Sequence, residues 1–513
     1  MNTSTTPNRT LAKRTFWLCA VAFTLSACAV GPDFQQPTAN APANWNEWHN
    51  GSGLQLPQVR DQTLPANWWR AFNDPVLNQL IEQALHHSPD VHTAALHVAQ
   101  ARMQRAGTAA QYTPSVALSG GVSRQRISET GSGTRMLDAV GGSNRDALAQ
   151  MLASPYNLYQ TGFDASWEPD FWGRIRRSVE AADAGIARQD ALLDLTRLTL
   201  VSDVAKNYFS LRTTQAQIAL MQQDIAALRE IQSLTAARAQ RGLLNHIDTE
   251  RQQSELNALA AQLPPLMAQE NALTGQLALL SGEQPGALNA LLQAQTAAPS
   301  AGLPDLSLGM PSEIARRRPD ILAAEAQLHS ATASIGAAKA DLYPSIRIGA
   351  KFGLESTQSS GFSAWGNRVW SVGPSLDLPI FDSGRRVSVV KLRGLEQQEA
   401  AVNYQKTVLN AWKEIDEALS AYAAAQQETA QLAARTRNTA EALRLVNARY
   451  KNGLTDYTAV LDSQRSYLQA RRDLAANQGR LAARFITVNK ALGNGSGSEQ
   501  LPSPSVPPTS SAR

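Results

Sequence analysis

Residues Ser345–Glu355 read SIRIGAKFGLE and alternate without a break. Ile346, Ile348, Ala350, Phe352 and Leu354 fall on one side, and Arg347, Gly349, Lys351, Gly353 and Glu355 on the other. Period two marks a β-strand with one apolar and one polar face. Three more segments repeat the pattern. Val116, Leu118, Gly120 and Val122 alternate with Ser115, Ala117, Ser119, Gly121 and Ser123. Tyr159, Phe163, Ala165 and Trp167 alternate with Gln160, Gly162, Asp164 and Ser166, and Trp370, Val372, Leu376 and Leu378 with Ser371, Gly373, Ser375 and Asp377. Strands are therefore expected over 115–123, 158–167, 345–355 and 368–378. Pro374 offers no ladder donor, which makes its pairing the weakest point. A strand of about 10 residues is the length that crosses a bilayer in a tilted barrel. The segments read as facing lipid on one side and a watery interior on the other. Trp167, Trp370 and Tyr159 suit an interfacial aromatic girdle.

Four strands do not close such a barrel, since bacterial outer-membrane barrels run from about eight strands upward. An open edge in lipid leaves backbone donors and acceptors without partners, at prohibitive cost. Identical copies must then share one wall. The strand count alone leaves two, three or four copies open.

Between the strands the chain reads as long helix. From Arg174 to Gln240 there is no proline, Gly185 is the one glycine, and good helix formers dominate. At 1.5 Å per residue this is a rod of roughly 100 Å. Its partner runs from Asp248 to Leu280, interrupted by Pro264-Pro265; a second pair runs from Val387 to Lys451 and from Asp456 to Leu492, with Ala475-Ala476 in place of the prolines. Leu409, Trp412, Ile415, Leu419 and Tyr422 recur at coiled-coil spacing. A stripe of this length requires neighbours to bury it.

The chain is one unit written twice. Ser88-Pro89-Asp90-Val91 recurs as Arg318-Pro319-Asp320-Ile321, Pro114 as Pro344, Gly242-Leu243 as Gly453-Leu454, and Gly282 as Gly493. The first copy carries extra residues between Val122 and Leu158, in a Gly/Ser-rich tract expected to be a loop. A period this long means a duplicated domain rather than a small solenoid.

At the N-terminus, Lys13-Arg14 precedes the apolar run Phe16–Leu25 and then Leu25-Ser26-Ala27-Cys28, a signal peptide ending in a lipobox. Cleavage before Cys28 and acylation of that residue would anchor the chain, as the buried methylenes add. Ala29 in place of Asp resembles the outer-membrane sorting choice. Pro32, Pro37, Pro42 and Pro57 mark an extended tether. The only cysteines, Cys19 and Cys28, lie in this region, so no internal disulfide framework is possible. A net charge of +4 does not argue for nucleic acid. The sequence contains no P-loop, HExxH, GxSxG or dinucleotide fingerprint, and it reads as no enzyme.

These residues resemble the TolC-like outer-membrane efflux factors, in particular the lipoprotein branch of OprM or NodT type. The carriers are the lipobox with Val30-Gly31-Pro32-Asp33-Phe34, Trp68-Trp69 before Phe72-Asn73-Asp74-Pro75, Arg317-Arg318-Pro319-Asp320-Ile321 with Glu325, Tyr343-Pro344-Ser345, and Pro379-Ile380-Phe381-Asp382-Ser383-Gly384-Arg385. The resemblance implies a mixed α and β membrane protein: a homotrimer whose twelve-stranded β-barrel continues into a long α-helical periplasmic barrel with a small equatorial domain. On that frame the parts are a lipoprotein signal peptide (1–27), a lipid-anchored extended segment (28–70), a first repeat (71–282), an equatorial segment (283–310), a second repeat (311–493) and a disordered tail (494–513).

The resemblance also implies function: the outer-membrane exit duct of a tripartite efflux pump, partnered by a periplasmic adaptor and an inner-membrane transporter of the resistance-nodulation-division class. No cofactor is implied beyond the lipid on Cys28. Gly242, Leu243, Gly453 and Leu454 correspond to the tips where the adaptor docks; otherwise they are plain helix–helix turns. Asp462 matches an aspartate of the narrowest constriction, Asp248 one that ties the closed state, and Asp456 and Thr458 lie in the same gate segment. Otherwise both aspartates sit on a solvated helix face. Thr455 and Thr458 depart from the arginine and leucine found in some members, which leaves the closing contacts open. His86, His87, His92 and His97 cluster in one expected helix without sharing a face, and Arg316–Arg318 read as a surface or intersubunit pairing site. The competing reading is a periplasmic coiled-coil adaptor or scaffold lipoprotein without a pore.

Overall fold

The structure is a computed structural model that describes residues 29–38, 67–140, 142–241, 245–293, 314 and 317–495. The expected signal peptide, Cys28, much of the extended segment, residues 294–310 of the equatorial segment and 496–513 of the tail lie outside the described residues. The main elements are α1 (Pro75–His87), α2 (Pro89–Ala109), β1 (Ser115–Gln125), α3 (Arg145–Leu152), β2 (Tyr156–Trp167), α4 (Arg174–Gln240), α5 (His246–Ala260), α6 (Leu263–Leu280), α7 (Pro319–Ala340), β3 (Ser345–Ser356), β4 (Arg368–Asp377), α8 (Arg385–Lys451) and α9 (Tyr457–Ala491). The described residues fall into two compact units: those within 29–35, 101–185 and 328–399, and those within 36–100, 186–327 and 400–495.

The first unit holds one antiparallel sheet in the order β1-β2-β3-β4. Its registers pair Ser115 with Ser166, Asp164 with Lys351, and Ser345 with Asp377. Alternation then puts Leu118, Phe163, Phe352 and Trp370 in one cross-strand row on a single face, with Val116, Ala165, Ala350 and Val372 beside them. Pro374 stands opposite Ile348 in an unbroken register, although it contributes no ladder donor there. Gly162 and Gly353 face each other, and a Cβ on Gly353 would lie 2.5 Å from the Thr161 carbonyl oxygen, so the backbones meet there.

The tract expected as a plain loop after β1 instead contains a helical turn at Leu137–Val140 and α3. Arg145 ties them together: Nε lies 2.9 Å from Asp138 and Nη1 3.0 Å from Asp146. On the same unit, the N-terminal segment is strapped down. The Val30 amide donates to the Trp172 carbonyl (3.1 Å), Arg177 Nη2 bonds Asp33 Oδ1 (2.6 Å), and Phe34 stacks on His329 at 4.3 Å. Gly31 has φ +115° and sits against Gly336 of α7, where neither position has room for a Cβ.

The core of the second unit is built on an aromatic knot. Trp68 meets Phe72 and Phe485 edge-on, and Phe72 packs on Phe209. Asp74 caps α1, accepting from the amides of Val76 and Leu77, and its other oxygen accepts the Tyr208 hydroxyl at 2.5 Å. That cap aims Val76, Leu77, Leu80, Ile81 and Ala84 inward. Of the stripe on α8, Trp412, Ile415, Leu419 and Tyr422 are buried. Leu395, Val402 and Leu409 recur every seventh residue along α8 and stay more than 60% exposed.

Three expectations are revised. The histidines do not share a helix: Ser88 divides α1, with His86 and His87, from α2, with His92 and His97. The break between α5 and α6 falls at Ala261-Gln262, and the prolines open α6 instead of kinking it. Arg318 is not a surface or intersubunit group. It is buried and bonded to Asp320 (2.6 Å), Glu414 (2.7 Å) and the Ala491 carbonyl (2.7 Å); burial alone would lower its pKa, and the two carboxylates outweigh it and raise the value.

Candidate functional site

Two places have the chemistry of a conduit. The first is the sheet of the first unit. Its polar face pairs charges across strands: Lys351 Nζ lies 3.9 Å from Asp164, Gln160 Nε2 donates to Glu355 (2.8 Å), and Ser119 Oγ donates to Asp164 (3.1 Å). Arg347 stands 3.4 Å from Glu168 at the end of the same face. The opposite face is apolar and exposed, with Leu118 at 68% and Trp370 at 70%. A water-soluble sheet would cover such a face with a second layer. This one suits hydrocarbon on one side and water on the other, as alternation in membrane barrels requires.

The second place is the helix pair α5 and α9 of the second unit, which carries Asp248, Thr458 and Asp462, with Asp456 capping α9. Gly453 (φ +73°) closes α8, its amide and that of Leu454 returning to the carbonyls of Tyr450 and Arg449. Leu454 is left 65% exposed. Gly242 and Leu243, the equivalent tip, lie outside the described residues. Asp456 is the N-cap of α9 and accepts from the Ala459 amide at 3.0 Å. Asn245 caps α5 in the same way.

Asp248 and Asp462 do not touch each other. Asp248 lies 4.0 Å from Arg251, which donates onward to the Thr458 hydroxyl at 3.3 Å. Asp462 is two-thirds exposed and 3.8 Å from Arg465, which is bonded to Glu255 at 2.7 Å. Deeper in, the Tyr457 hydroxyl donates to Gln252 Oε1 at 2.8 Å. Gln252 is fully buried and its Nε2 has no partner among the described residues. Burial pushes the Tyr457 phenol pKa up. Farther along α9, Arg471 bonds Asp224 of α4 at 3.1 Å; burial holds that carboxyl above its usual range even beside the guanidinium.

Sequence reasoning singled out the aspartates and Thr458 but missed Arg251, Gln252, Glu255, Arg465, Asp224 and Arg471. One signal was present: Gln252 stands in the buried stripe with Leu256 and Leu259, a polar residue in apolar register. Chemically the set is a polar latch: three α5–α9 bonds, one fully buried, beside an exposed carboxylate.

The family described as outer membrane efflux protein matches residues 80–282 and 310–494. The outer membrane protein OprJ of Pseudomonas aeruginosa is 29% identical over 479 residues, covering 93% of this chain and 94% of that protein. Nodulation protein T of Rhizobium leguminosarum bv. trifolii is 30% identical over 475 residues, with 92% and 95% covered. The solved outer-membrane channel OprN superposes with a TM-score of 0.81 at 28% identity, over 91% of this chain and all of that one.

Proposed function

The chain belongs to the outer membrane efflux protein family and is an outer-membrane efflux channel; from that premise we propose that three copies form the exit duct of a tripartite pump. In this reading each copy gives four strands to a twelve-stranded barrel and its long helices to a periplasmic tunnel. The observation that carries it is the open four-stranded sheet, with a bare apolar face, a polar face of paired charges and two unpaired edges. In lipid those edges find partners only in another copy. The exposed heptad of Leu395, Val402 and Leu409 on α8 calls for a neighbouring helix in the same way.

The energy comes from elsewhere: a periplasmic adaptor docks at the tips around Gly242-Leu243 and Gly453-Leu454, and an inner-membrane transporter of the resistance-nodulation-division class supplies the drive. Asp462 of three copies rings the constriction, where like carboxylates favour cations and hold water. Asp248, Asp456 and Thr458 belong to the latch that keeps the tip shut. Cys28 carries the lipid. The internal duplication is supported by paired left-handed glycines: Gly173 and Gly384 (φ +78° and +80°) before the two 67-residue helices, Gly282 and Gly493 (φ +70° and +73°) after their partners. A pore-free periplasmic adaptor has no use for an exposed apolar sheet face. Density-gradient separation of cell envelopes tests the proposal: the protein should sediment with outer membranes and resist carbonate extraction. Release into the soluble periplasm would refute it.

A further inference from the structure

We infer that β4 of one copy pairs with β1 of the next in the register that the chain's own repeat dictates, and that Ile380 seals the base of this seam; the inference rests on the duct reading above. The two hairpins fix the repeat. Ser115 pairs with Ser166 and Ser345 with Asp377, so β3 follows β1 by 230 residues (345 − 115) and β4 follows β2 by 211 (377 − 166). The same 211 separates Gly173 from Gly384 (384 − 173) and Gly282 from Gly493 (493 − 282). The open β4 edge is thus the counterpart of β2, and the open β1 edge the counterpart of β3.

The β2–β3 seam is present within the chain and pairs Gly162 with Gly353, Asp164 with Lys351, and Trp167 with Ile348. Carried over by +211 and −230, it sets Gly373 opposite Ser123, Ser375 opposite Gly121, and Leu378 opposite Leu118 of the next copy. Both faces then run through the seam unbroken: Leu376, Leu378, Gly120 and Leu118 on the apolar side, and Ser375, Asp377, Gly121 and Ser119 on the polar side. A slip of one residue would turn every side chain over, so the only competitors are slips of two.

The base of the internal seam shows what lies beneath. There Trp172 stacks on Tyr343 at 4.8 Å and gives its Nε1 proton to the Pro344 carbonyl at 2.7 Å. At the corresponding end of β4, Ile380 and Phe381 are 91% and 86% exposed, the two most exposed large apolar side chains among the described residues. Continued past the end of β4 at Asp377, the register brings them level with Val116 and Ser115, beside Tyr112. Val116 is 66% and Tyr112 41% exposed. On the apolar side Ile380 thus meets Val116 and Tyr112, while Phe381 falls level with Ser115.

Paired cysteines test the register. Directly opposed residues in an antiparallel pair lie about 4.5–5.5 Å apart at Cα, within disulfide reach, whereas a slip of two puts them about 7–8 Å apart. The mature chain offers only Cys28 as background. Full-length Ser375→Cys with Gly121→Cys, oxidised in outer membranes, should yield cross-linked two- and three-chain bands several-fold stronger than Ser375→Cys with Ser119→Cys or with Ser123→Cys. Dominance of either displaced pair, with intact trimers before oxidation, overturns the register and leaves the duct standing; particles made of lone chains overturn both. The seal has its own readout. Ile380→Ala should lower the temperature at which trimers separate in detergent while the barrel's β-sheet circular dichroism persists; an unchanged separation temperature overturns the seal.

Discussion

Tyr457→Phe removes one hydroxyl from the α5–α9 latch and changes nothing else in shape. That hydroxyl is the donor to Gln252 Oε1 at 2.8 Å, in a site where Gln252 is fully buried and its Nε2 has no other partner among the described residues. The variant leaves a buried amide with no bond, a cost of about 1–3 kcal/mol. If the bond exists in the shut tip and water replaces it in the open one, that cost falls on the shut state alone. A coupling of this size shifts an equilibrium about 5- to 150-fold. A tip that is open about 1% of the time, within the usual range for a minor state, would then be open between about 5% and 60% of the time. Single-channel recording in planar bilayers reads this directly as open dwell fraction. Gln252→Leu added to Tyr457→Phe removes both partners, and replacing both by apolar groups is close to neutral, so the double variant should return toward the parent behaviour. An unchanged dwell fraction in Tyr457→Phe, together with a lowered thermal midpoint, would refute the reasoning: the bond would then hold the helices together in both states.

Asp462→Ala should weaken cation selectivity, seen as a reversal potential nearer zero across a potassium chloride gradient; an unchanged potential would remove Asp462 from the narrowest ring. Gly336→Ala would place a Cβ 2.8 Å from Arg177 Cγ and 2.9 Å from the Val30 carbonyl oxygen, so the strap should lift at a cost of about 1–3 kcal/mol, and amide exchange at Val30 and Asp33 should quicken; protection equal to the parent would contradict this. For Asp224 the folded carboxyl is raised above the ordinary 3.8, so the native state keeps its proton to higher pH than the unfolded chain does. Stability from this group therefore grows as pH falls from neutral through the raised value and is complete below 3.8. Asp224→Asn should abolish that gain, so the thermal midpoint difference between parent and variant should differ between pH 7 and pH 3.8, and a constant difference would argue against the raised carboxyl.

The strands were legible because period two is a local property: each of the four announces its face within about ten residues. The 67-residue helices were legible for the same reason, through composition and the absence of proline. What escaped was long-range pairing. Arg318 reads as surface charge because Glu414 and Ala491, which bury it, are 96 and 173 positions away. The Tyr457–Gln252 bond joins residues 205 apart, and nothing local in either segment announces the other. The helices after β1 escaped because Gly and Ser around them drew attention from RDALAQML, a good helix former by composition. Sequence recognition of Trp68 and Asp74 pointed to a family, and the structure supplies their job: they close the knot that fixes α1 against α4 and α9.

The most direct test is to count chains around the hollow. Native mass spectrometry of detergent-purified, lipidated protein, paired with electron micrographs of the same particles, should give three chains per particle and end-on views of a ring with a central opening. A compact single-chain particle without an opening would contradict the shared wall on which everything else depends.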